Sequence, residues 1–371
     1  MSKILVAIST LIGTIIGAGI LGLPYVVMKS GFLLGIFNMI LVGFIVLMIN
    51  LYLGEITLRT KSQHHLAGHA SIYLSKKGKT LMFISLVLGI YSALVAYLIG
   101  EGESLSFLIF RTTDYSLYFG IIFWIFMSFV TYYGLESLKK GEKTGVAAII
   151  ILILLVIFLF WNKIDTNNLS YNNPSLFYVP FSVTLFAFLG FSTIPEVRKI
   201  LYKEPKNLKK TILISIISVF FIYLIFTAIV VGYQGANTPE IATLALGKIF
   251  VLLGMLTIGT SYLALTVALA DSIHYDFHKS KTKSWLYTIS FPLIIYIFLT
   301  IFKLDSFIKV LGIGGVISGS LAGILILLMI KKAKKKSERK PEYSIPYSNI
   351  LAWLIILILI TGTILELVKS I

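Results

Sequence analysis

The sequence has no cysteine and few charged residues. Asp, Glu, Lys and Arg make up 13% of its 371 residues, whereas 57% are hydrophobic. The lack of cysteine excludes disulfides, cysteine-ligated metal sites and thiol nucleophiles. Long polar stretches are also lacking, because only short loops separate the apolar runs. The chain therefore has no room for a soluble domain, and we expect residues 1–371 to form a single transmembrane domain.

The abundant feature is apolar runs of about 18 or more residues, each long enough to cross a hydrocarbon core of about 30 Å as a helix. They predict an all-α polytopic membrane protein with about eleven transmembrane helices. The first run has no small-residue cleavage site, so we expect it to be mature structure and not a signal peptide. The predicted spans are residues 4–28, 32–58, 80–110, 115–137, 142–162, 178–200, 210–233, 247–275, 284–302, 305–330 and 347–368.

The distribution of basic residues predicts the orientation. Most of the 32 lysines and arginines lie at the N-terminus or in loops on the same side of the membrane, including the run at residues 331–340. Because loops rich in Lys and Arg stay in the cytoplasm, we expect a cytoplasmic N-terminus, an extracellular C-terminus and a location in the plasma membrane. Contact with lipid headgroups then explains the net charge of +16 without nucleic acid as a partner.

The first predicted span contains three closely spaced glycines, Gly13, Gly17 and Gly19. A helix in the bilayer core must satisfy its own backbone groups, and glycine weakens a helix. Close packing is one explanation, because small residues let membrane helices approach each other. The other is a discontinuous helix at a substrate site, as secondary transporters use.

The sixth predicted span has a second interruption, at Gly190 and Pro195. It comes five spans after the first, and because five is odd, a second five-helix unit would enter the membrane with inverted topology. Matching breaks in two inverted halves indicate the midplane site of a transporter. We therefore predict inverted repeats at residues 4–162 and 178–330, with the span at 347–368 outside the repeat.

Three motifs resemble those of a known family, namely residues 13–24 (GTIIGAGILGLP), 188–195 (FLGFSTIP) and 259–263 (GTSYL). They are similar to the first, sixth and eighth helices of amino acid permeases in the amino acid–polyamine–organocation superfamily. The amino acid/auxin and aromatic/hydroxy amino acid permease branches are the most similar. The resemblance covers nearly the whole chain and implies the leucine transporter type of fold, with a five-plus-five inverted repeat and alternating access.

The resemblance also implies an amino acid site between the two interruptions. Amides that open the second half of helix 1 would bind the carboxylate, helped by the helix dipole, and exposed carbonyls would accept bonds from the ammonium group. Tyr97 would close over the carboxylate, and two phenylalanines would border the side-chain pocket. The predicted substrate-binding residues are Thr14, Ile15, Gly17, Ala18, Gly19, Tyr97, Leu185, Phe186, Phe188, Gly190 and Phe191.

A cation is the expected coupling partner, and no other cofactor is expected. By the same resemblance, a sodium ion would be bound by oxygen atoms of Gly13, Ile16, Thr257, Thr260 and Ser261. Alternatively, the hydroxyls of Thr260 and Ser261 would only bond to the backbone of their own helix.

A proton is the other possible coupling ion, although sodium is slightly favoured. Some proton-coupled relatives have a lysine on helix 5, but residues 145–150 (GVAAII) contain none. Ionisable groups inside a membrane are functional candidates, so Glu101 and Glu103 are the predicted proton relay, unless they only line an outer vestibule.

Two other classes of function are weighed against transport. A membrane enzyme would need a catalytic constellation, and His64, His65 and His69 give a metal-like spacing without a clear third ligand; we therefore expect no enzyme activity. A membrane sensor that binds amino acids without moving them has the same sequence features. The expected partners are an amino acid and membrane lipid, and we expect a functional monomer.

The predicted orientation can be tested with two tags. A tag after residue 371 should be reachable from outside intact cells, whereas a tag within residues 331–340 should be protected until the cells are made permeable. Protection of both tags would contradict an odd number of spans.

Overall fold

The computed structural model describes residues 3–133, 138–277 and 279–370, and within these it leaves out the side chains of 133, 138–148, 275–277 and 370. Each long apolar run forms a helix, in which the backbone satisfies its own hydrogen bonds. The helices are α1 (Lys3–Ile15), α2 (Gly19–Ser30), α3 (Phe32–Arg59), α4 (Leu66–Phe110), α5 (Ser116–Tyr133), α6 (Leu138–Phe160), α7 (Thr166–Ser170), α8 (Pro180–Ala187), α9 (Ile194–Ile200), α10 (Leu208–Gln234), α11 (Lys248–Phe277), α12 (Lys281–Ile301), α13 (Phe307–Gly314), α14 (Ser320–Lys335) and α15 (Asn349–Ser370).

The helical content confirms an all-α polytopic membrane protein. No strand occurs in the described ranges, where only an isolated bridge pairs Gly31 with Asn172. Eight helical segments there are long and apolar enough to cross a membrane, or nine if the bent pair α1 and α2 is one span. Two shorter apolar helices, Ser116–Tyr132 and Ile149–Lys163, lie at the fourth and fifth predicted spans. The count of eleven therefore stays a prediction, as does the repeat.

Helix α4 divides into two parts at Ser75, whose φ of 81° lies in the left-handed region. The part before Ser75 precedes the predicted span at residues 80–110, and the part after it contains that span. Helix α4 packs against α5, α11, α13 and α14, so it runs through the centre of the fold.

A π-helical turn at Gly315–Gly319 joins α13 to α14 and packs against α8. A Cβ atom at Gly315 would lie 2.8 Å from Cβ of Phe186, and one at Gly319 would lie 2.9 Å from Cγ of Leu185. Real Cβ atoms do not approach that closely, so glycine is needed for this contact. The π turn thereby positions α8, which is the first half of the interrupted sixth span.

The sequence has no lysine at residues 145–150, where some proton-coupled relatives have one. The side chains of residues 145–148 lie outside the described residues. The backbone of this segment belongs to α6, which packs against α1, α10 and α11. Helix α6 is therefore next to the first interrupted span.

Candidate functional site

The first predicted span is interrupted at its glycine cluster. Helix α1 ends at Ile15, α2 begins at Gly19, and the two axes differ by 55°. Between them the chain forms a tight turn, in which the Gly17 amide donates to the Ile15 carbonyl over 3.0 Å. The helix is therefore discontinuous here, and the role of the interruption at a substrate site stays a prediction.

The sixth predicted span is interrupted as well. Helix α8 ends at Ala187, and Gly190 has φ −150° and ψ 11°, outside the helical region. A 3-10 turn follows before α9 begins at Ile194. Pro195 lies in the first turn of α9, where its missing N–H would have had no helical partner in any case.

The two interruptions lie against each other. A Cβ atom at Gly19 would be 2.6 Å from Cα of Ala187, and one at Gly190 would be 2.7 Å from Cγ1 of Ile15. Both glycines thus permit a close approach between the broken helices. In this structure Gly19 makes room for Ala187, and its predicted role beside a bound carboxylate stays a prediction.

One side chain that no sequence motif indicated joins the two interruptions. The hydroxyl of Tyr223 on α10 lies 3.0 Å from the carbonyl oxygen of Ile15 and 2.8 Å from that of Ala187. The side chain is fully buried, and its ring packs edge-to-face on Phe188 with 5.2 Å between centroids. Tyr223 therefore holds the last carbonyls of α1 and α8 together.

A polar cavity of about 90 Å³ begins at the first interruption and follows the N-terminal half of the span. Such a volume has room for several water molecules. Six of the predicted site residues line it. The lining residues are Ser9, Thr10, Gly13, Thr14 and Ile16 of α1, Tyr97 of α4, Ile149 of α6, and Thr260, Ser261, Ala264 and Leu265 of α11.

Gly17 lies next to this polar cavity. A Cβ atom there would be 3.0 Å from the Tyr97 hydroxyl oxygen and 3.4 Å from Oγ of Ser261. The Tyr97 hydroxyl also lies within hydrogen-bonding range of the Ser261 hydroxyl and the Ala18 backbone. The structure thus brings together Gly17, Ala18, Tyr97 and Ser261.

The threonine hydroxyls in this region bond to their own helices. Thr260 donates to the carbonyls of Leu256 and Thr257, each over 3.0 Å, and Thr14 donates to Thr10 over 2.9 Å. This is the backbone bond expected of hydroxyls in membrane helices. It uses the hydroxyl proton and leaves the lone pairs of the oxygen, which are what a cation would need.

The predicted residues of the sixth span do not line the polar cavity. Leu185 and Phe186 face the π turn, and Phe188 packs on Tyr223. Phe188 and Phe191 are both buried. Their role at the border of a side-chain pocket therefore stays a prediction.

The two predicted acids have different surroundings. Glu101 follows Tyr97 by one helical turn and is 1% exposed, and its Oε1 has no hydrogen-bond partner among the described residues. Glu103 lies within electrostatic range of Glu240 and Asp305. Only Glu101 is therefore an isolated buried carboxyl group close to the polar cavity.

The histidines do not form a metal centre with the acids. Nδ1 of His69 lies 3.4 Å from the Thr60 hydroxyl, and Nε2 of His64 lies 2.6 Å from the Ser62 hydroxyl. Within the described ranges, no group of three or more His, Asp or Glu side chains could hold a metal ion.

Comparisons with known proteins complete these observations. No curated protein matches the sequence. A family model does match, and its description agrees with the resemblance to amino acid permeases. It is the model of the tryptophan/tyrosine permease family and covers residues 1–366, so the chain belongs to that family.

Proposed function

We propose that the protein is a secondary active transporter of aromatic amino acids, with tryptophan and tyrosine as the substrates to test first. The observation that supports this most directly is the meeting of two interrupted helices at Gly19–Ala187 and Gly190–Ile15. Half-helix ends at the centre of a membrane protein supply backbone groups for a polar substrate. The family supplies the substrate class.

The backbone at the interruptions suits both charged groups of an amino acid. The amides of Ala18 and Gly19 at the start of α2 would bind the carboxylate, because a helix N-terminus favours an anion. The Gly17 amide donates to the Ile15 carbonyl in this structure, so it would join them only after that bond opens. Carbonyls at the ends of α1 and α8 would accept from the ammonium group. The Ala187 carbonyl accepts from Tyr223 and has a second lone pair for the ammonium group. The Ile15 carbonyl accepts from both Tyr223 and the Gly17 amide, so there the ammonium group would replace one of the two donors.

The aromatic side chain of the substrate would lie against Phe188 and Phe191. Aromatic rings pack well edge-to-face, as Phe188 does with Tyr223. Both phenylalanines are buried in this structure, so binding requires them to move apart. Leu185, Phe186 and Gly190 would complete the sixth-span side of the site.

The polar cavity would be the path to the cytoplasm. It follows Ser9, Thr10 and Gly13 toward the end of α1 that carries the N-terminus, which is the predicted inner side. The protein would work by alternating access, as a monomer in the plasma membrane. Its inverted repeats would be residues 4–162 and 178–330, with α15 outside them.

Transport would be coupled to a cation, with sodium slightly favoured. Gly13, Ile16, Thr260 and Ser261 line one cavity, and the Thr257 carbonyl lies 3.0 Å from Oγ1 of Thr260. These five residues offer carbonyl and hydroxyl oxygens from two helices. The specific observation in favour of a proton is the unpartnered oxygen of buried Glu101.

Gly17→Val tests the substrate site. Overpacking costs about 1–3 kcal/mol, and the new side chain would enter the space beside Tyr97 and Ser261. Tryptophan binding should therefore weaken by about tenfold or more, since each 1.4 kcal/mol is about a factor of ten. The measurement is tryptophan-dependent thermal stabilisation of the purified protein.

The matched control is Gly259→Val on α11, where an added Cβ meets no described atom within 4 Å. It should bind tryptophan like the wild type. Unchanged binding by Gly17→Val, in protein that inserts normally, would show that the substrate lies elsewhere.

The coupling ion is tested by changing Thr260 and Ser261 together to Ala. If they bind sodium, then sodium raises tryptophan affinity and tryptophan raises sodium affinity by the same factor, as linkage requires. The double variant should lose this coupling. Thr266→Ala is the control, because its buried hydroxyl on the same helix has no partner in the described part of the chain.

Wild-type uptake could instead be driven by a pH gradient and be independent of sodium concentration at fixed pH. That result would exclude the sodium site. In that case Glu101→Gln should abolish the response to the pH gradient.

A further inference from the structure

The loop between α14 and α15, residues 336–348, is held at one buried carboxylate on α3. Glu55 is fully buried and accepts from Nε of Arg59 over 2.8 Å and from Nζ of Lys334 over 2.7 Å. It also accepts from the Ser344 hydroxyl over 2.9 Å and from the Ile345 amide over 2.8 Å. A carboxylate with four donors fixes the loop against the end of α3.

Further bonds hold the same loop in place. The amides of Glu338 and Arg339 donate to the Arg59 carbonyl over 3.1 and 3.2 Å. Burial, followed by the nearby charge of Glu55, raises the pKa of the Tyr343 hydroxyl well above its ordinary value. Tyr343 therefore stays protonated and donates to the Leu51 carbonyl over 2.7 Å. The loop is thus ordered before any ligand binds.

The loop and the end of α3 form an open basic depression of about 440 Å³ at the surface of the protein, which we call the basic cavity. Three cationic side chains and two hydroxyls line it, and no carboxylate does. The lining residues are Arg59, Ser337, Arg339, Lys340, Pro341 and Ser344.

The carboxylates near the basic cavity do not neutralise its charge. Glu55 faces two cations, so its single charge balances only one of them. Glu342 pairs with Arg339, and Glu338 accepts from the backbone amide of Lys61. Lys340 has no ion-pair partner among the described residues. An excess of positive charge therefore remains where the cavity opens.

A fourth cation lies behind the basic cavity. Arg198 on α9 is 8% exposed, and its Nε has no hydrogen-bond partner in the described part of the chain. One of its terminal nitrogens donates to the Thr60 carbonyl over 3.2 Å. It lies close enough to Arg339 for the two positive charges to repel each other, and Glu342, which pairs with Arg339, offsets part of this repulsion. An anion between them would relieve this repulsion.

We propose that the basic cavity is a binding site for a phosphate group, supplied by the headgroup of an anionic lipid of the inner leaflet. Arginine guanidinium groups match phosphate oxygens in pairs, and basic pockets between membrane helices on the cytoplasmic side bind anionic headgroups. The cavity lies where α3 and α14 end, at Arg59 and Lys335, which is where headgroups begin. This site is separate from the proposed amino acid site.

The test is thermal stabilisation of the detergent-purified protein by three probes: phosphatidylglycerol, phosphatidylcholine and inorganic phosphate. Phosphatidylglycerol at about 100 times its dissociation constant should raise the unfolding temperature by about 5 °C, and phosphatidylcholine should not. An equal rise with inorganic phosphate would confirm the phosphate site and assign it to a soluble anion. No rise with either anion, or an equal rise with phosphatidylcholine, would overturn the proposal.

Variants locate the effect. Arg339→Gln with Lys340→Gln removes two lining cations, whereas Lys331→Gln with Lys332→Gln removes the same charge from exposed positions on α14 outside the cavity. Only the first pair should abolish stabilisation, and equal loss in both pairs would show nonspecific attraction. If the first pair does not fold, Lys340→Gln alone serves, because that side chain is exposed and unpaired. It should raise the half-saturating lipid concentration about fivefold, and no change would contradict the site.

Discussion

A backbone N–H or C=O group that lacks its helical hydrogen bond must find another hydrogen-bond partner when it is buried among apolar side chains. This requirement determines the structure around the two interruptions. Helices α1 and α8 stop inside the buried part of the fold, at Ile15 and Ala187. The Ile15 carbonyl accepts from the Gly17 amide of the turn in place of the usual helical donor. The Tyr223 hydroxyl lies within 3.0 Å of the Ile15 and Ala187 carbonyl oxygens. The hydroxyl has one proton, which the two carbonyls share. An unsatisfied buried polar group costs about 1–3 kcal/mol, so this bond stabilises the place where the two interruptions meet.

The same arrangement connects the fold to transport. The glycines at positions 19 and 190 let the broken helices touch, and the π turn at Gly315–Gly319 supports α8 from the other side. The substrate ammonium group would compete with Tyr223 and the Gly17 amide for the Ile15 carbonyl. Exchange of one donor for another would allow the halves of the first and sixth spans to shift without leaving a carbonyl unpaired.

The sequence predicted the interruptions but not what holds them. Glycines at 13, 17 and 19 and Pro195 change local backbone preference, so their effect can be derived from local rules. Tyr223 is one of 20 tyrosines, and its bond partners are distant in the chain. The hydrogen bond from the Ile345 amide to Glu55 likewise joins residues that are far apart in the sequence. Such contacts depend on tertiary packing, which no periodicity or spacing describes. For the same reason, the rings of Phe188 and Phe191 could be assigned to a pocket but not oriented.

The most direct test of the account is tryptophan uptake and binding by Tyr223→Phe, compared with Tyr262→Phe. Both tyrosines are fully buried, but the Tyr262 hydroxyl has no partner among the described residues. If Tyr223 joins the interruptions, its variant should lose about tenfold or more in tryptophan affinity, while Tyr262→Phe behaves like the wild type. Wild-type uptake and affinity in Tyr223→Phe would contradict the central role of this bond.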